Sequence, residues 1–132
     1  MNSFWDTSVG WSVKLTAWVA LFLAPAKVTM ITVGFLVLGD LITGIWASVK
    51  RGETFSSAKL RQTITKTLGY QLAIVLSYVT ESQLMPEIPV LKVVAGLIAS
   101  TELVSALENL ASITGVPLAE AVKKLFDKKP NP

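Results

Sequence analysis

Asp40, Lys66, Lys92, Glu102, Glu108 and Asn109 stand out because each lies within or beside an otherwise apolar segment. In such surroundings carboxylates and ammonium groups pair with one another, line water or relay protons. Familiar enzymatic arrangements are closed to them. The chain has no His and no Cys, so no Ser-His-Asp or Cys-His nucleophile, thiolate metal site or disulfide can be built. No glycine-rich phosphate loop occurs, and scattered carboxylates do not make a metal cluster. The expectation is a protein that is not an enzyme and needs no cofactor or metal.

Spacing sorts these residues onto faces. Thr43, Gly44 and Ala47 follow Asp40 at helical intervals, and Gly44 with Ser48 forms a small-xxx-small pair that lets helices approach closely. Further on, Lys92, Ala95, Ala99, Glu102, Ala106 and Asn109 recur at steps of three and four, with Ser105 and Glu108 flanking them. Such a stripe is costly against lipid and must face a helix, another subunit or water. Within one bundle the candidate ion pairs are Lys66 with Asp40, and Lys92 with Glu81 or Glu87. Two readings stay open: a packing face with one paired acid, and a stripe that lines water once the bundle rearranges.

The elements that must position these groups are long and apolar. Val28–Val49 is interrupted only by Asp40 and ends at Lys50-Arg51. As a helix it would cover roughly 33 Å, enough for a hydrocarbon core of about 30 Å. The chain of 132 residues is 52% hydrophobic and only 16% charged, with a mean hydropathy of +0.56, whereas soluble domains carry about 25% charged residues. A second span is expected over residues 62–80, with Lys66 near enough to its end to snorkel. A third is expected over 88–113. Residues 1–27, with Phe4, Trp5, Trp11, Trp18 and Phe22, read as an interfacial helix or one tucked against the bundle. A cleaved signal peptide ending at Ala24-Pro25-Ala26 and a short additional span are the alternatives. Gly52 suits a helix end, and Ser56-Ser57 suits the next N-cap. Thr114-Gly115-Val116-Pro117 breaks the last span, and the amphipathic LAEAVKKLF leads into a basic tail.

Charge gives the topology. Lys50, Arg51, Lys59 and Arg61 outnumber Glu53 in the 50–61 connection, and Lys123, Lys124, Lys128 and Lys129 outnumber Asp127 in the tail. The 81–89 hairpin carries Glu81 and Glu87 and no cation. By the positive-inside rule the connection and tail face the cytoplasm. The net charge of +3 is therefore a topology signal rather than a nucleic-acid surface. The tail cations could also meet an anionic leaflet.

Two segments of the chain resemble a known family. Asp40-Leu41-Ile42-Thr43-Gly44, then Ala47 and Lys50-Arg51-Gly52, is similar to the D-x-x-T-G segment of a bacteriophage holin family that includes holin-like proteins of clostridial toxin secretion. Ser56-Ser57 and Lys66 fall where that family has a Ser-containing loop and a Lys opening its second span. Glu102-Leu-Val-Ser105-Ala-Leu-Glu108-Asn109, followed by Gly115-Val116-Pro117, resembles its E-x-x-S-x-x-E-N stretch and G-V-P exit. Together the likeness covers residues 28–126. It implies a multi-pass protein of the host bacterial cytoplasmic membrane. Such a protein homo-oligomerises in the bilayer and opens lesions that release a cytoplasmic endolysin, causing timed lysis. Asp40, Glu102 and Asn109 would then line the lesion.

The expected fold is an all-α integral membrane bundle of about three transmembrane helices, plus an N-terminal interfacial or short membrane helix. Its parts are the N-terminal segment 1–27, the transmembrane region 28–113, and the amphipathic segment and basic tail 114–132. The competing functions are a non-lytic scaffold subunit of a phage particle or secretion apparatus, and a small ion channel with Asp40 and Glu102 as relay groups.

Overall fold

The computed structural model describes residues 2–127, and side chains from residue 9 onward. Lys128 and Lys129 of the expected basic tail, and the side chains of Phe4 and Trp5, lie outside the described residues. The described residues form five α-helices: α1 (Asn2–Leu23), α2 (Lys27–Lys50), α3 (Ser57–Gln83), α4 (Val90–Thr114) and α5 (Leu118–Asp127). No strand occurs among them.

The chain runs from α1 into α2 without leaving helical backbone. Ala24–Ala26 forms one 3₁₀ turn at Pro25, which has no N–H for the α-helical ladder. Val9–Lys50 is thus one apolar stretch of 42 residues. The 3₁₀ turn separates α1 from α2, which begins at Lys27. α1 is not tucked against the bundle: every side chain from Trp11 to Ala20 is exposed. Only its end is anchored, where Phe22 stacks on Trp18 and meets the edge of Tyr78 at 5.7 Å between centroids.

α2, α3 and α4 form the bundle. α3 runs antiparallel to α2 and α4, so the 51–56 connection and the α4–α5 turn lie at one end and residues 84–89 at the other. Loop chemistry fixes those ends. Gly52, at φ 76°, closes α2: its N–H reaches Val49 O, and the Glu53 N–H reaches Ser48 O. The Ser56 side chain caps α3 by accepting from the Lys59 N–H. Gly115, also at φ 76°, ends α4. At the opposite end Glu81 accepts the Leu91 N–H at 2.8 Å. Pro89, the N-cap of α4, has no side-chain oxygen to do so. Glu81 is thereby committed to a helix start, and Lys92 is exposed with no carboxylate of the described residues within salt-bridge distance, contrary to the expected pairing with Glu81 or Glu87.

The packing is inverted relative to a soluble protein. Outward faces carry large apolar side chains: Ile31, Phe35, Leu38, Ile42 and Trp46 on α2, and Leu60, Ile64, Leu68, Leu72 and Leu76 at steps of four on α3. The large apolar side chains of the interior, Val33, Val37, Ile74 and Ile98, cluster toward the 84–89 end. Toward the other end the interior holds Glu102 and Ser48, each 1% exposed. Two stretches, Val9–Lys50 and Val90–Thr114, are long and apolar enough to cross a membrane by length and composition. α3 is not, which differs from the expected three. Its inward polar residues lower its average although its outer ridge is apolar.

Small residues set the distance between α2 and α4. A Cβ at Gly44 would lie 3.4 Å from Asn109 Nδ2, ordinary contact for a methyl group but no room for a longer side chain. Gly44→Ala is expected to leave the detergent-solubilised protein's melting temperature within a few degrees. Gly44→Leu should lower stability by about 1–3 kcal/mol through overpacking, read as a drop in thermal midpoint by circular dichroism.

Candidate functional site

Lys66 lies nine residues after Ser57, the first residue of α3, too deep to snorkel out of the end. The expected start at residue 62 had placed it about one turn in. Instead its ammonium turns inward between α2 and α4. Lys66 Nζ donates to Asp40 Oδ2 at 3.1 Å and to Glu102 Oε2 at 2.7 Å. The second oxygen of each acid is also satisfied. Asn109 Nδ2 donates to Asp40 Oδ1 at 3.2 Å, and the Tyr70 hydroxyl donates to Glu102 Oε1 at 2.9 Å. One cation, two carboxylates, an amide and a phenol thus form a continuous network linking all three helices.

Helical periodicity delivers each member. Lys66 and Tyr70 are one turn apart on α3 and share the inward face with Ile74 and Ser77. Glu102 and Asn109 are two turns apart on α4, Glu102 against Lys66 and Tyr70 of α3 and Asn109 against Asp40 of α2. Thr43, one turn beyond Asp40, donates to Gly39 O at 2.9 Å and accepts from Asn109 at 3.3 Å. Ionised Asp40 and Glu102 with Lys66 would leave one excess negative charge. Donors to all four carboxylate oxygens are what make such burial tolerable.

Ser48 is a second junction at the basic end. Its buried Oγ accepts from Lys59 Nζ at 3.0 Å and lies 3.5 Å from Arg51 Nη2. Lys50 Nζ donates to Ile113 O, tying the end of α2 to that of α4. Arg51 grips Glu53 at 2.8 and 3.0 Å. The bonded guanidinium holds the Glu53 carboxyl below its usual range. Any contribution of this exposed pair is present above the ordinary carboxylate pKa and fades as pH falls through the lowered one.

The remaining sequence candidates are dispersed. Ser105 borders the network without bonding to it. Glu108 is exposed and pairs with Lys123 of α5 at 2.7 Å. Arg61 and Lys124 are exposed at the basic end. Lys92 belongs to no cluster. Sequence reasoning missed Tyr70 and Gln71. The four-residue step from Lys66 would have found Tyr70. Gln71 donates to Met30 O at 3.1 Å while its own buried Oε1 accepts no hydrogen bond among the described residues. No group of His, Cys, Asp or Glu suited to a metal ion occurs among the described residues.

Residues 17–129 match the Bacteriophage holin family, so the chain belongs to that family. It is a family of membrane pore-forming proteins rather than an enzyme class. No curated protein and no solved structure matches the chain.

Lys66→Met should leave two acids buried without their cation and cost roughly 3–5 kcal/mol. The combined Asp40→Leu, Lys66→Met, Glu102→Leu variant removes the whole charge set, and stability is expected to return to within about 2 kcal/mol of wild type. Tyr70→Phe should cost about 1.5–3 kcal/mol, the value of a hydrogen bond to a charged group. Unfolding from detergent micelles, followed by circular dichroism, measures all three.

Proposed function

We propose, with membership of the bacteriophage holin family as premise, that this chain homo-oligomerises in the host bacterial cytoplasmic membrane. There it opens lesions through which an endolysin escapes. The observation that carries the reading is the Lys66 network, a set of charges buried inside a bundle whose outside is apolar. In the resting protomer Lys66, Asp40, Glu102 and Asn109 satisfy one another and none needs water. When bundles reassociate at high density, the same faces can part and turn toward an aqueous opening. Hydration then replaces the intramolecular partners, so the polar faces tolerate both states. Asp40, Glu102 and Asn109 line the opening in this reading.

The proposed topology is multi-pass, with α2, α3 and α4 as spans. α3 crosses because its outer ridge is apolar and its charge is neutralised by its neighbours. The 42 residues of Val9–Lys50 would extend about 63 Å as one straight helix, twice a hydrocarbon core. α1 therefore forms a separate interfacial or short membrane helix, divided from α2 at Pro25. The basic end, with Lys50, Arg51, Lys59, Arg61, Lys123 and Lys124, faces the cytoplasm.

Inducible expression in a bacterium, alone and with an endolysin lacking a signal sequence, tests the activity. Abrupt death after a lag is expected, with loss of turbidity only when endolysin is present. Early gradual depolarisation with endolysin trapped inside would instead favour a small ion channel, to which the Asp40–Lys66–Glu102–Tyr70 chain is also suited. Membrane insertion without killing would favour a scaffold. Asp40→Leu and Glu102→Leu are expected to abolish or mistime lysis. The combined triple variant separates chemistry from folding: it should insert and remain folded yet fail to open lesions.

A further inference from the structure

Two adjoining cavities lie along α2 and α3, and they differ in chemistry. The first, of about 290 Å³, lies toward the basic end between α2, α3 and α4 and is bordered by Phe55, Lys59, Gln62, Thr63, Ser105 and Asn109, among others. The second, of about 400 Å³, is an apolar groove along the outer seam of α2 and α3. Gly34, Leu38, Leu60, Ile64 and Leu68 help to form it. Leu41 and Thr63 border both, so the polar cavity and the apolar groove lie side by side.

The polar cavity has donors to spare. Among the described residues Lys59 Nζ bonds only to the Ser48 hydroxyl and has no carboxylate within salt-bridge distance. Asp40, the acid at the cavity wall, is paired with Lys66, which it shares with Glu102, and Glu53 is held by Arg51. The Gln62 side chain makes no hydrogen bond among the described residues. The positive end of the α3 dipole adds to the field at Lys59. An occupant with an anionic head and an apolar chain complements both halves, whereas water complements only the first.

We propose that one anionic phospholipid binds this seam. Its phosphate sits at Lys59 and Gln62, and an acyl chain lies in the groove between Leu38 and Ile64. The shape follows from the antiparallel register of α2 and α3. Their polar ends meet beside the basic loop at headgroup level, and their apolar turns face lipid deeper in the bilayer. This binding site is independent of whether the protein opens lesions, so its test reads lipid retention and not lysis.

The full chain, delipidated in a neutral detergent, is titrated with phosphatidylglycerol or phosphatidylcholine of identical acyl chains and analysed by native mass spectrometry. One phosphatidylglycerol per chain should be retained roughly fivefold more tightly than phosphatidylcholine, the preference expected of one cation near a headgroup. Lys59→Gln should erase the preference and Lys59→Arg should keep it. Ile64→Trp, at an exposed position, should fill the groove and weaken both lipids equally. Circular dichroism confirms that each variant is helical before titration. Equal retention of the two lipids by the wild type would overturn the proposal, as would a preference unchanged in Lys59→Gln. Displacement of the lipid by millimolar inorganic phosphate, with Ile64→Trp without effect, would show a phosphate-ion site and overturn it too.

Discussion

The rest of this bundle depends on one half-buried ammonium group placed between three helices. Lys66 is nine residues into α3, and its side chain reaches neither end of the bundle. Its charge can be supported only by opposite charge on the neighbouring helices, and Asp40 and Glu102 supply it. Each carboxylate then needs its second oxygen occupied, which brings Asn109 and Tyr70 into the network. The relative position of α2, α3 and α4 follows from that demand. A shift of one residue along any helix would rotate its member by about 100° and leave a buried charge alone.

Around this polar centre the bundle is arranged for an apolar solvent. Hydrophobic burial cannot hold helices together in lipid, because lipid is as apolar as leucine. Hydrogen bonds, ion pairs and close approach of small residues take its place. Gly44 against Asn109, Lys59 on Ser48 and Lys50 on the Ile113 carbonyl are contacts of that kind. Interhelical contacts built from polar groups share a further property. Unlike apolar contacts, they can be exchanged for water at modest cost, so a surface that packs well in a closed protomer is also one that can face an aqueous opening.

Much of this was legible from residue spacing. Asp40 in Val28–Val49, and the Ala95-Ala99-Glu102-Ala106-Asn109 stripe, identified the faces that meet because side chains three and four apart share a helical face whatever surrounds them. The pairing of Lys66 with Asp40 was among the candidates because no other cation lies inside a span near that depth. Glu102 as the second partner was not, since nothing in one sequence gives the depth of α4 relative to α3. Lys92 misled for a different reason. Its apparent partner Glu81 was needed by the N–H groups opening α4, a demand created by Pro89, which cannot cap.

Length, apolar periodicity and the absence of His and Cys determined by themselves that this is an all-helical chain with membrane-length segments and without thiol or imidazole chemistry. Those are local properties, carried by residue type and spacing. The two motifs around Asp40 and Glu102 pointed to the family for the same reason, since a motif is a local pattern. Only the tertiary structure decided that α1 and α2 share a continuous helical path, that α3 keeps its polar face inward, and that one lysine serves two acids. The last two depend on the register between segments far apart in sequence. That register is set by which buried groups can satisfy one another, a property no single helix contains.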